Sequence, residues 1–408
     1  MTRLKTVLDA AGNAPALRVD VGDAIGGSED YHAIEYRYLL RAFANLGYDA
    51  LNIGYREARL SAAQLRQLKT NSPVPILSAN LLDQATRRPL FDPYRIVQRG
   101  SYRIAIIGVV DPRGLRADLG DGLAIEAMEP ALSRWVTELR PKADLLVLLA
   151  FTDEATLVRL AEQFYELQVI LGGKVRQPAQ ELQKENRSLI FFVTNESRAL
   201  GFLKLRLSEG APPVPIASEI RLLHDRIPEA PELQQLARDY RQEVRRARLT
   251  VDDPGHLQDD AIPGVRAAAS FVGSARCVDC HQATGAAWSR SRHAHAFATL
   301  VEKQADADPK CIGCHTIGFA TATGYRREFG AQWLAHVGCE SCHGPGSLHV
   351  RRYQGEREID FVFRPLGAGD CQKCHFGEFS RPFNWDEFWP LIRHGQETTM
   401  PAADSKGE

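Results

Sequence analysis

Apolar residues fall into two different rhythms along this chain. Short runs suited to buried strands occur at Ala16–Val21, Val74–Ser78, Tyr102–Val110, Asp144–Ala150, Gln168–Leu171, Ser188–Val193 and Gly201–Leu207. Most are too continuous for one wet face, so they read as strands covered on both sides. Helix-like stretches lie between them at Tyr31–Leu46, Pro130–Leu139 and Glu154–Phe164. Such alternation predicts an α/β layered sheet with helices on its faces. After the breaker Gly210-Ala-Pro-Pro213 comes a last strand, Ala217–Leu223. Ile227-Pro-Glu-Ala-Pro-Glu then opens a polar helix running to about Arg248. Proline and acid near its start suit a helix N-terminus. Thr250–Gly264, rich in Asp, Pro and Gly, reads as a linker. The expected organisation is an α/β domain over 1–227, a helix and linker over 228–268, and a mostly α domain over 269–408.

Composition adds little until its distribution is considered. With 44% hydrophobic and 25% charged residues the chain is ordinary globular material. A formal net charge of −1 argues for neither nucleic acid nor an anionic membrane surface as partner. No apolar run reaches the 18 or so residues of a membrane span. The opening, Met1-Thr-Arg-Leu-Lys-Thr-Val-Leu-Asp-Ala, lacks the apolar run and cleavage site of a signal peptide, and the true start is expected upstream. All eight cysteines, nine of twelve histidines and four of five tryptophans (Trp288, Trp333, Trp385, Trp389) lie after residue 268. That asymmetry puts a domain boundary before them.

The cysteines repeat one pattern: Cys277-Val-Asp-Cys280-His281, Cys311-Ile-Gly-Cys314-His315, Cys339-Glu-Ser-Cys342-His343 and Cys371-Gln-Lys-Cys374-His375. Each is Cys-x-x-Cys-His, the attachment signature of c-type haem. Two thiols one helical turn apart each form a thioether to a haem vinyl group, and the adjoining imidazole reaches the iron. Zinc sites or a disulfide framework would not require a histidine after every second cysteine. Four covalent haems are therefore expected. Their attachment outside the cytoplasm implies a periplasmic or extracellular, cell-surface location. His281, His315, His343 and His375 are the proximal ligands. Of the three methionines, Met1, Met128 and Met400, only the last lies in this region, whereas five histidines remain there: His293, His295, His336, His349 and His394. Bis-histidine ligation is the economical reading.

The words Trp288-Ser-Arg-Ser-Arg-His293-Ala-His295-Ala-Phe, Ala335-His336-Val-Gly-Cys-Glu-Ser-Cys-His-Gly-Pro-Gly-Ser-Leu-His349 and Trp389-Pro-Leu-Ile-Arg-His394-Gly resemble the tetrahaem cytochrome c-554 family and its multihaem relatives. The resemblance extends over nearly all of 271–396. It implies distal-ligand roles for His293, His336 and His349, with His394 as the fourth candidate. In a helix, His293 and His295 would point about 200° apart, so one iron takes only one of them. The same family is known for a haem open on one side, which leaves a small-molecule redox reaction as an alternative. The absence of Cys-x-x-Cys-Lys disfavours a nitrite-reductase-like haem.

Upstream, Val19-Asp-Val-Gly-Asp23, Leu46-Gly-Tyr-Asp-Ala-Leu-Asn-Ile-Gly54, Leu77-Ser-Ala-Asn80, Tyr102-Arg-Ile-Ala-Ile-Ile-Gly108 and Val169-Ile-Leu-Gly-Gly173 resemble the catalytic domain of 5′-nucleotidase-type metallophosphoesterases. That family implies a two-metal site, of which this chain keeps only Asp23. Gly54-Tyr55-Arg56-Glu57 stands where Gly-Asn-His-Glu is expected, Phe151 where a later His is expected, and Lys174-Val-Arg176 where His-x-His is expected. Cations in place of imidazoles repel metal ions. The resemblance implies a degenerate fold serving as scaffold, with a bifunctional phosphoesterase as a third reading.

Electron transfer by a tetrahaem cytochrome is the function expected, with no residue assigned a catalytic role. The expected partners are redox proteins, either other cytochromes or a quinol-linked donor. Oligomeric state is open at this level.

Overall fold

The computed structural model describes residues 1–12, 14–25, 30–115, 118–175, 181–193, 199–224, 226–247, 269–319, 321–327, 330–361, 363–376 and 383–394. They form two compact units, Met1–Tyr240 and Arg241–Glu408.

In the first unit, β1 (Val19–Asp20), β2 (Ala50–Asn52) and β3 (Ile76–Leu77) make a small parallel sheet. A six-stranded sheet follows the order β10 (Gln183–Glu185), β11 (Ser188–Phe192), β9 (Val169–Gly172), β8 (Leu145–Phe151), β6 (Tyr102–Val110), β5 (Tyr94–Arg99). Its inner four strands are parallel and its two edges antiparallel. Two antiparallel pairs complete the unit: β4 (Leu81–Asp83) with β7 (Leu123–Ile125), and β12 (Ala199–Arg206) with β13 (Val214–Leu222).

The continuous apolar runs of β6 and β8 are explained by burial on both faces. Ala105, Ile107, Val109, Leu146, Leu148 and Ala150 face α4 (Met128–Leu139) and α5 (Glu154–Gln163). Their alternates Ile104, Ile106, Leu145, Val147 and Leu149 meet Ala50 and Leu77 of the small sheet. That sheet's outer face, through Leu51 and Ile76, packs with α2 (Asp30–Asn45) and α3 (Ala62–Asn71) by way of Tyr36, Leu40, Phe43 and Leu65. The result is four layers, α/β/β/α.

Several elements depart from the sequence expectation. The strand expected at Ala16–Val21 contracts to β1, because Arg18 N–H donates to the Asp49 carboxylate (3.0 Å) and Gly22 N–H to Asp20 Oδ1 (2.9 Å). Side chains take the donors a longer ladder would use. An unexpected helix, α1 (Thr2–Ala10), packs Leu4 and Leu8 against Leu46 and Leu233. Another, α3, starts on a capping box in which Ser61 and Gln64 satisfy each other's backbone N–H groups. The polar helix expected after residue 227 is α6 (Pro231–Ala247), with Leu233 and Val244 as buried anchors.

The described residues of the second unit contain no strand. Beyond the end of α6 its helices are short: α7 (Ser274–Val278), α8 (Gln282–Ser289), α9 (Ala296–Glu302), α10 (Pro309–His315), α11 (Cys339–His343), α12 (Ser347–Tyr353), α13 (Ala368–Gln372) and α14 (Trp385–Phe388). A small apolar cluster, including Phe271, Leu300, Ile312, Ile317, Tyr325 and Leu334, ties them together. The stretch around His293 is not one helix. Helix α8 ends at Ser289, and a 3₁₀ turn over His293–His295 precedes α9. The expected linker Thr250–Gly264, with His256, lies outside the described residues, as do Met400 and Arg176. No helix among the described residues is long and apolar enough to cross a membrane.

Candidate functional site

Every Cys-x-x-Cys-His motif sits on a short helix or the turn that follows it. His281 N–H donates to the Cys277 carbonyl (2.9 Å), and His375 N–H to that of Cys371 (2.8 Å). This i to i+4 closure sets the thiols one turn apart and brings the imidazole beside them. In the second motif, Asp308 caps α10 through Lys310 N–H, and Pro309 takes the first helical position, where its missing donor costs nothing. In the third, Gly344 at φ 82° ends α11 directly after His343.

Three motif histidines each face a second imidazole. Ring centres are 6.2 Å apart for His281 and His349, 6.0 Å for His375 and His293, and 6.0 Å for His343 and His394. With metal–nitrogen bonds of about 2 Å, two imidazoles on opposite sides of one metal have centres about 6 Å apart. Together with the paired thiols beside each motif imidazole, the donor set fits haem c. His394 Nδ1 lies 2.8 Å from the Ile392 carbonyl and His315 Nδ1 2.7 Å from that of Ala296, which leaves Nε2 to ligate in both. Aromatic rings line the pairs: Phe363 meets both His343 and His349, while Phe383 and Phe388 meet His375. Burial pushes His293, His315, His343 and His349 below the ordinary imidazole range, favouring the neutral form that binds metal.

Two histidines stand apart. His336 Nε2 is 2.8 Å from Ser274 Oγ, and its ring lies 5.1 Å from that of Trp288, whose indole N–H donates to the Val337 carbonyl. His295 Nε2 lies 3.1 Å from the Ser289 carbonyl. Phe297 packs on Tyr325, ring centres 5.6 Å apart. The helical geometry assumed for that stretch does not hold. Sequence reasoning gave Ser274 no role, although the word Phe271-Val-Gly-Ser274 belongs to the same resemblance, and it had no signal for the carbonyls of Ala296 and Ile392.

At the carboxyl ends of the first unit's strands, the altered phosphoesterase positions meet one another. Tyr55 stacks edge-on to Phe151 at 5.0 Å, and Lys174 Nζ lies 3.2 Å from the Tyr55 hydroxyl and 4.3 Å from its ring centre. Asp23, buried at φ 68°, accepts Arg56 N–H (2.7 Å) and faces its guanidinium at 3.5 Å. Glu57, fully buried, accepts N–H bonds from Asp23, Ile25 and Gly54. Burial first, then the Asp23 charge, push it up to about 7. Asp20 is pushed up to about 6 by burial. Among the described residues no cluster of three or more His, Cys, Asp or Glu side chains is arranged to hold a metal ion.

Comparison with known proteins divides the chain in the same way. Residues 276–344 match the family model described as cytochrome c554 and c-prime. Cytochrome c-554 of Nitrosomonas europaea is 37% identical over 121 residues, covering 26% of this chain and 50% of that protein. A 2′,3′-cyclic-nucleotide 2′-phosphodiesterase/3′-nucleotidase of Yersinia enterocolitica is 28% identical over 169 residues, covering 36% of this chain and 26% of that protein. The chain thus spans half of one relative and about a quarter of the other. Among solved structures, a 5′-nucleotidase precursor of Thermus thermophilus superimposes with a TM-score of 0.52 at 21% identity, covering 62% of this chain and 56% of that one. Residues 276–344 thus resemble the cytochrome c554 family, whose members carry covalently bound haem c, and they share one chain with a unit that has the fold of 5′-nucleotidase-type metallophosphoesterases.

Proposed function

We propose that this protein transfers single electrons outside the cytoplasm through four haems c, one on each motif. The observation that carries the reading is the set of three imidazole pairs at 6.0–6.2 Å, each joining a motif histidine to a non-motif one. Haem c, when bound, supplies reversible one-electron chemistry at iron. The chain's own residues attach, ligate and shield. Cys277, Cys280, Cys311, Cys314, Cys339, Cys342, Cys371 and Cys374 would hold the haems through thioethers. His349, His293 and His394 lie opposite His281, His375 and His343. Histidine rather than methionine as the second iron ligand would hold the reduction potentials low. Other cytochromes or a quinol-linked donor are the fitting partners. The first unit acts as scaffold: Tyr55, Phe151 and Lys174 fill the strand-end cavity with one another, and Arg56 supplies the positive charge that Asp23 would otherwise seek from a metal. EPR and absorption spectroscopy of the mature protein test the ligation, and a spectrum dominated by high-spin haem would overturn it.

One observation favours a second reading. Among the described residues no imidazole ring faces His315 as the other three motif rings are faced, and His336, the remaining distal candidate, is engaged by Ser274. A haem on the second motif would then keep one open side and accept a small molecule. A minor high-spin signal that shifts on adding carbon monoxide supports this reading; a fully low-spin protein indifferent to carbon monoxide refutes it.

A further inference from the structure

Glu340 occupies the first variable position of the third motif, yet its side chain points inward and its residue is only 1% exposed. Its carboxylate accepts from three N–H groups: Val272 N–H is shared between Oε1 (2.9 Å) and Oε2 (3.1 Å), Gly346 donates to Oε1 (2.7 Å) and Gly273 to Oε2 (2.7 Å). Val272 and Gly273 lead directly into α7 and the first motif, and Gly346 follows the third. Beside this clamp, Cys339 N–H donates to Ser274 Oγ at 3.2 Å. The Cys277 thiol lies 3.8 Å from the Gly273 carbonyl. One buried carboxylate therefore sits at the attachment points of two motifs.

Its partners favour the anion. All three partners are N–H donors, so a protonated carboxyl would turn a hydroxyl toward groups that cannot accept it. Burial raises the group above its ordinary value, against the pull of the Val272, Gly346 and Gly273 N–H groups. No cation pairs with it among the described residues. A fixed negative charge in a medium of low dielectric acts strongly on nearby changes of charge, and the oxidised form of a haem carries one more positive charge than the reduced form.

We infer that Glu340 is a positioning and potential-tuning residue, which locks the first and third motifs together and lowers the reduction potentials of the haems they hold. The inference rests on the haem assignment proposed above.

Spectroelectrochemical titration of the full-length, haem-loaded protein tests it. E340Q removes the charge with little change of shape and is expected to move two of the four midpoints upward, whereas E340D, which keeps the charge, leaves them near the parent values. V272P deletes one N–H while retaining the carboxylate, and should move the same two midpoints downward; it decides the matter if E340Q does not mature. Four unchanged midpoints in E340Q, an equal upward shift in E340D, or four unchanged midpoints in V272P would overturn the tuning role. Mass spectrometry of the parent protein separates the two levels: haem missing from the first or third motif overturns the inference together with the assignment beneath it.

Discussion

His293 and His295 are separated by one alanine and face different surroundings. The first ring lies 6.0 Å from His375, and the second is spent on the Ser289 carbonyl. Replacing His293 with Ala is expected to convert one further haem from low- to high-spin and raise its potential, while H295A leaves the spin states of the parent unchanged; EPR of the two variants checks this. Sequence offered both histidines and a reason to choose between them, but the reason assumed a helix that is a 3₁₀ turn. Partner identities were not legible at all, since His281 and His349 are distant in sequence and only the fold brings them together. In the first unit buried Glu57 and partly buried Asp20 carry a pH dependence. Burial raises Glu57 from 4.5 to about 7 and Asp20 from 3.8 to about 6. A raised acid contributes stability that is complete below its unfolded value and lost as pH rises through the folded one. Stability of this unit should therefore fall between about pH 4 and pH 7. Denaturant titrations followed by Trp135 fluorescence should show that fall, with a shallower slope in E57Q.

At the scale of elements, the loops after β1 and β2 cross with no space between them. A Cβ built on Gly54 would lie 2.2 Å from Asp23 N, and one on Gly22, at φ +108°, 2.6 Å from Gly54 N. Both neighbours are backbone and cannot yield as a flexible side chain would. G54A is expected to cost about 2–3 kcal/mol, read as a lowered denaturation midpoint, whereas a midpoint equal to the parent's would refute the crossing. The Gly-Asp and Gly54 words of the sequence thus mark a backbone approach that persists where metal ligands do not. Long apolar elements were the legible ones: β6 spans the residues expected, because its two-sided burial leaves an unbroken apolar run. Short strands such as β2 owe their existence to neighbours on both sides. Helix α3 is rich in Gln, Arg and Lys, so its only local signal was the Ser61–Gln64 box.

For the whole molecule, the distribution of chemistry between the two units sets the last expectation, the metal content of the mature protein. On the proposed reading eight thiols in four motifs would attach four haems, which would leave no cysteine for another metal. In the first unit, Asp23 already has a guanidinium at 3.5 Å, and Lys174 lies against the Tyr55 hydroxyl. A divalent ion entering there would displace the first cation and approach the second, with an aromatic pair in place of donors. Elemental analysis should find about four irons per chain, in agreement with a pyridine haemochrome assay, and no stoichiometric zinc or manganese. Nucleotide hydrolysis should be absent with or without added metal, because water activation between metals needs ligands that Tyr55, Arg56, Phe151 and Lys174 do not supply. Two equivalents of zinc or manganese surviving chromatography, with hydrolysis lost on chelation, would show that the strand-end cluster rearranges to bind metal. Three or fewer haems per fully matured chain would instead overturn the reading of the motifs.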